Sequence, residues 1–201
     1  MRIWVTRTLP EAEATAGRLR ALGHLPLVAP VLEVREVGGA LDLKGVGALA
    51  FTSRNGVAAF AARHADRALR VYAVGAATEA AARGHGFAEV TSAEGDVAAL
   101  AELIAAHHDP RSGHILHPCA AEPAQDLAGE LKRRGLKAHC QPIYQTLPLP
   151  IARPVSAALA AEPAELDAVL VHSPRAARRI AELLEDRDRS DVLIALCISK
   201  A

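Results

Sequence analysis

Aromatic residues are scarce in this sequence. Three Phe, two Tyr and one Trp make up 3% of its 201 residues, which leaves few platforms for stacking nucleic-acid bases. Neither sign of charge is in excess, since 23 Lys and Arg face 23 Asp and Glu. A basic, nucleic-acid-binding face is therefore not expected. No run of about 18 or more apolar residues occurs, so no membrane-spanning helix is expected. The chain opens on Met1-Arg2-Ile3-Trp4-Val5, which leads straight into a strand-like segment. The charged lead, apolar stretch and small-residue cleavage site of a secretory signal are missing, and a cytoplasmic protein is the expectation. The cysteines, Cys119, Cys140 and Cys197, are odd in number and widely spaced. Neither a disulfide framework nor a zinc site is expected from that spacing. Of nine histidines only His107 and His108 are near neighbours, and surface or polar-edge roles suit them better than metal ligation.

What the chain does have is an apolar fraction of 51% beside 23% charged residues, close to the globular average. Its length suits one large domain or two small ones. Short apolar runs alternate with Ala-rich amphipathic stretches. Strands are expected near residues 3–6, 24–30, 46–52, 70–74, 88–91, 114–117, 136–144, 166–172 and 192–197. Helices are expected near 10–22, 55–63, 76–83, 96–107, 121–134, 155–161 and 174–184. The punctuation supports these assignments. Pro10 suits a first helical turn, Glu11 and Glu13 suit the positive end of the helix dipole, and Gly23 suits a C-cap.

Strands alternating with helices of this length mean βαβ units and a mostly parallel sheet. Runs such as Ala168-Val169-Leu170-Val171 are apolar throughout, as expected where helices cover both faces. About nine strands are many for one open sheet, so two sheets are expected. Two breakpoints suggest where the chain crosses between them. One is the alternating run Leu32-Glu33-Val34-Arg35-Glu36. The other is Gln145-Thr146-Leu147-Pro148-Leu149-Pro150, whose prolines argue against a central strand or helix. Residues 38–144 would then form a continuous α/β domain, and residues 1–35 plus 150–201 a discontinuous one.

Several expected strands end in a small or polar turn that opens a helix: Thr6-Arg7, Thr52-Ser53-Arg54-Asn55-Gly56, Gly75 with Thr78, His117-Pro118, and His172-Ser173-Pro174-Arg175. Open parallel sheets bind ligands outside the carboxyl ends of their strands, and helix N-termini favour anions. Helix capping alone also explains each of these hydroxyls, at about 1 kcal/mol per site. Their repetition at several strand ends suits a ligand with many carboxylates or phosphates. No GxGxxG, GxxxxGK[ST] or GxSxG pattern is present, which disfavours dinucleotide, P-loop and serine-hydrolase chemistry. Tyr72 sits inside an apolar run and is expected in a core with its hydroxyl satisfied. Tyr144 precedes the proline-rich segment, where its phenol would face a cleft as a hydrogen-bond donor or weak acid, or serve as a packing aromatic.

Taken together, these residues resemble uroporphyrinogen-III synthase. The resemblance is carried by Val5-Thr6-Arg7, then Phe51-Thr52-Ser53-Arg54-Asn55-Gly56-Val57 with Phe60. It continues through Val74-Gly75 with Thr78, Gly86-Phe87, and Gly95-Asp96 with Leu100. Tyr144-Gln145-Thr146 and Val171-His172-Ser173-Pro174-Arg175-Ala176 complete it. It implies two Rossmann/flavodoxin-like domains with parallel sheets flanked by helices, joined by a two-stranded crossing. It implies a linear tetrapyrrole substrate, hydroxymethylbilane, cyclised with loss of water and inversion of the last pyrrole ring. It implies no metal or organic cofactor and a monomer. Tyr144 takes the family's catalytic tyrosine position. Arg7, Thr52, Ser53, Asn55, Gly56, Gly75, Thr78, Ser173, Arg175 and Ser199 become the substrate-binding candidates. Pro118 stands where the family often has glycine, so His117 is not expected in the site. The family's chain also runs on past Ser199, so the discontinuous domain is expected to lack its last elements. A non-catalytic binder of a polyanionic small molecule is the alternative.

Overall fold

The computed structural model describes residues 1–161, 164–185 and 193–197. The chain forms two compact units, Met1–Val34 with Thr146–Ala201, and Arg35–Gln145.

In the first unit, β1 (Arg2–Val5) lies between β2 (Leu25–Val28) and β9 (Ala168–Val171), and β10 (Ile194–Cys197) pairs with β9. All these neighbours are parallel. Helix α1 (Glu11–Ala21) has Glu11 and Glu13 in its first turn and Arg18 and Arg20 in its last, both matched to the helix dipole. It stops at Gly23, whose φ of +77° lets His24 N–H reach Leu19 O and its own N–H reach Arg20 O. That pair of bonds satisfies carbonyls the helix end would otherwise leave open. Helices α6 (Arg153–Ala160) and α7 (Pro174–Leu184) bring Val155, Leu159, Ala176 and Ile180 into a core with Trp4, Val31, Leu166 and Val169. Trp4 is 1% exposed, and its indole N–H donates to Ala29 O at 2.7 Å.

The second unit carries the sheet β3-β8-β7-β4-β5-β6, although residues 32–34 of β3 and 146–148 of β8 are counted with the first. Its strands are β3 (Leu32–Glu36), β4 (Val46–Phe51), β5 (Arg70–Ala73), β6 (Val90–Ser92), β7 (His114–Ala120) and β8 (Ala138–Pro148). From β8 through β6 all pairings are parallel. The chain winds outward from β4 through β5 to β6, then returns to β4's other side for β7 and β8. This is the doubly wound order, and its switch point lies between β4 and β7. Helices α2 (Arg54–Arg63), α3 (Ala76–Gly84), α4 (Val97–His107) and α5 (Leu127–Arg133) connect the strands. Leu100, Ile104, Leu127 and Leu131 pack with Ala48, Ala50, Tyr72 and Ile115 in its core.

The turn into β7 is tight. Gly113 has φ +130°, and a Cβ there would lie 2.5 Å from Gly45 O and 2.7 Å from Gly47 N. Both contacts are backbone and cannot rotate away. Gly113→Ala is expected to destabilise the chain by about 1–3 kcal/mol, read as a lower urea midpoint with an unchanged slope. An unchanged midpoint would mean that this turn relaxes freely.

Mixed parallel α/β structure is as expected, and four segments differ in detail. The helix expected at 121–134 begins only at Leu127, because β7 runs on to Ala120, Pro123 interrupts the connection, and Asp126 caps the helix by accepting from Gly129 N–H at 2.9 Å. The proline-rich segment does not end β8, which continues to Pro148. Pro142 is tolerated because the β7–β8 register shifts beside its partner Cys119, at the irregularity between Cys119 and Ala120. Tyr72 is in the core as expected, at 1% exposed, but its hydroxyl has no hydrogen-bond partner of normal geometry among the described residues. Finally, the last apolar run reads as a strand buried on both faces, yet β10 is exposed along its length. It pairs with β9 at one edge of its sheet, and Val192 lies outside the described residues.

Candidate active site

In the second unit the polar candidates gather at the carboxyl ends of its strands. Ser53 has extended backbone and caps α2, its Oγ accepting from Gly56 N–H at 3.0 Å. The same Oγ lies 2.8 Å from the Tyr144 hydroxyl, a hydrogen bond that either oxygen can donate. Tyr144 is 6% exposed. Its backbone is fixed opposite Ala120, and its carbonyl accepts from Ala121 N–H at 2.7 Å. The phenol is thus held to the N-terminal end of α2, where free N–H groups and the helix dipole favour negative charge. Gly56 lets the first turn of α2 lie close to β7, because a Cβ there would stand 3.0 Å from Pro118 O.

Thr52 Oγ1 lies 3.1 Å from His117 Nε2, across the switch point between β4 and β7. His117 is 1% exposed. Burial lowers its pKa to about 4, with a smaller opposing pull from the Asp126 carboxylate. It is a neutral imidazole at physiological pH. Its Nδ1 is buried without a hydrogen-bond partner among the described residues. Asn55 is half-buried in the first turn of α2. At the next strand end, Gly75 is the N-cap of α3, and Thr78 is buried in the first turn with its N–H bonded to Gly75 O.

The first unit has its own switch point, between β1 and β9. Thr6 is buried and its hydroxyl donates to Leu170 O at 2.5 Å, which ties the two strand ends together. Arg7 follows β1 and reaches Thr15 Oγ1 on α1 at 3.4 Å. Ser173 caps α7 by accepting from Ala176 N–H at 3.1 Å, with Pro174 at the first helical position. Arg175 is exposed and donates to Thr146 O at 2.9 Å. Ser199 lies outside the described residues.

The cysteine reading needs correction. Cys119 and Cys140 form a disulfide between β7 and β8, with Cα atoms 6.1 Å apart, and Cys197 is free and exposed. Donor atoms of His117, Cys119 and Cys140 lie within 4.8 Å of one another. Sequence spacing hid this, because 21 residues separate the two cysteines while strand pairing makes them neighbours. The signal available was His117-x-Cys119 on one strand with a cysteine at the same level of the next.

A doubly wound α/β protein with its hydroxyls and helix N-termini at the strand ends is the class these features define. The chain belongs to the uroporphyrinogen-III synthase family, whose sequence pattern, described as uroporphyrinogen-III synthase HemD, matches residues 13–201. It is thereby an enzyme of tetrapyrrole (heme) biosynthesis, and the non-catalytic binder is not favoured. Solved structures agree in fold. The uroporphyrinogen-III synthetase of Helicobacter pylori is 17% identical with a TM-score of 0.65, over 98% of this chain and 83% of that one. A mutant uroporphyrinogen III synthase of the extremely thermophilic bacterium Thermus thermophilus is 21% identical with a TM-score of 0.57, over 98% of this chain and 84% of that one. No curated protein matches the chain in sequence. No helix among the described residues is long and apolar enough to cross a membrane.

Proposed function

We propose that the chain acts as a cyclising hydro-lyase, converting hydroxymethylbilane to uroporphyrinogen III and water, with Tyr144 as the acid that assists the leaving hydroxyl. The observation that carries this reading is the hydrogen bond of Tyr144 to Ser53 at the start of α2. A pyrrole nitrogen lone pair expels the hydroxyl. The hydroxyl leaves as water with a proton from the phenol, and an azafulvene remains. The substituted carbon of the last ring then attacks, giving a spiro intermediate that reopens and recloses with that ring inverted, and the proton lost from the closing pyrrole carbon restores the phenol. Electron-rich pyrroles do most of this unaided, so the protein's main task is to hold the chain in the attacking geometry. In the second unit, Thr52, Ser53, Asn55, Gly56, Gly75 and Thr78 offer hydroxyls and helix N-terminal amides to the substrate's carboxylates. In the first unit the guanidinium groups of Arg7 and Arg175 and the hydroxyl of Ser173 serve the same carboxylates, with Ser199 as a further candidate. The protein works as a cytoplasmic monomer without nucleic acid or cofactor.

The test is rate. Linear tetrapyrrole generated in solution should disappear faster with the protein than without it, and a pure binder would slow its loss or leave it unchanged. Binding of the product should also weaken as salt rises, because exposed cations such as Arg175 are screened over about 8–10 Å at physiological ionic strength. Affinity that stays flat from low to high salt would contradict a site built on charge.

A further inference from the structure

We propose that, with its two thiols reduced, the chain binds one zinc-class cation through His117, Cys119 and Cys140. Sheet geometry builds this site. His117 and Cys119 are two apart on β7 and so share a face, and His117 pairs in register with Cys140 on β8. The three donors therefore project from one side of the sheet, within 4.8 Å of one another. The independent pointer is His117 Nδ1, buried and unpartnered among the described residues on a side chain that is 1% exposed. Its Nε2 is already engaged with Thr52 Oγ1. Metal on Nδ1 leaves the proton on Nε2, which then donates to the threonine hydroxyl, the outer bond that a ligating imidazole needs. The nearby Asp126 carboxylate is engaged through Oδ1 in capping α5. Two thiolates and one imidazole are the soft donor set that suits zinc, with a fourth position left to solvent.

The chemistry balances. A dithiol reductant gives two electrons and two protons to the Cys119–Cys140 bond and becomes a disulfide itself. Each thiol then loses one proton as it takes the metal. Cys140 is half-buried and the connection 121–126 is exposed, so a small ion has a route in. The cation then replaces the disulfide as the tie between β7 and β8.

The experiment uses the full chain carrying Cys197→Ser, reduced with a phosphine, which brings no competing thiolate. It is titrated anaerobically with Co2+, and far-UV circular dichroism confirms the fold throughout. One cobalt per chain is expected, with a near-ultraviolet thiolate-to-cobalt band that Zn2+ abolishes. Cys119→Ser and Cys140→Ser should each remove about half of the band per bound ion or lose binding altogether. Thr52→Val keeps all three donors and should weaken binding by about 10–100-fold. The unreduced chain should give no band. A folded, reduced chain that takes up no cobalt overturns the proposal, as does a band that survives loss of both Cys119 and Cys140.

Discussion

Tyr144→Phe is expected to lower turnover by up to about 10²-fold while leaving the fold intact. General-acid assistance is typically worth about 10²–10⁴-fold, and a hydroxyl that electron-rich pyrroles already expel should need the low end. The substitution removes one oxygen and keeps the ring, so packing around this 6%-exposed side chain is preserved. It also leaves Ser53 Oγ with its bond from Gly56 N–H, so the cap on α2 survives. Ser53→Ala separates the two roles of that serine. It should cost about 1 kcal/mol of stability through the lost cap, and a smaller drop in rate than Tyr144→Phe, because the phenol remains. Steady-state rates with melting curves check both. An unchanged rate in Tyr144→Phe would assign the tyrosine to packing alone.

Trp4→Ala should be the most damaging single change to stability among those considered. Removing a fully buried large aromatic costs about 3–5 kcal/mol, a large part of a typical total of about 5–15 kcal/mol. At about 2–4 °C per kcal/mol for a chain of this size, melting should fall by roughly 6–20 °C. The loss includes the indole bond to Ala29 O, which ties the end of β1 to the chain leaving β2. Trp4→Phe keeps most of the apolar volume but strands that carbonyl, and should cost about 1–3 kcal/mol. Trp4 is the only tryptophan, so its own fluorescence follows unfolding of the native chain, and circular dichroism follows the variants. A melting temperature for Trp4→Ala within a degree or two of the native value would show that this core repacks without it.

Much of this was legible in the residues. Apolar runs without alternation marked strands covered on both sides, and the local punctuation marked where helices start and stop. Ser53 and Ser173 cap α2 and α7, and Gly23 closes α1. The illegible parts depend on pairing between distant strands. Nothing local announces that β8 carries on past Tyr144 to Pro148, because the prolines at 148 and 150 argue against a strand there. Capping read Ser53 correctly, yet the same Oγ also holds Tyr144, 91 residues away in sequence. His117 illustrates the limit most clearly. Pro118 in place of the family's glycine argued against His117 in the site, whereas the strand continues through that proline to Ala120. The β4–β7 register runs only to Leu49 and Leu116, so the proline's missing N–H falls beyond that ladder.

The measurement closest to the central claim is the isomer formed in a coupled assay. Porphobilinogen and a hydroxymethylbilane-forming enzyme supply the linear substrate, and oxidised products are separated by chromatography. Spontaneous closure gives the type I isomer. With the protein present, type III uroporphyrinogen is expected to dominate and to scale with protein concentration. Type I alone, at every concentration of a folded chain, would contradict the account.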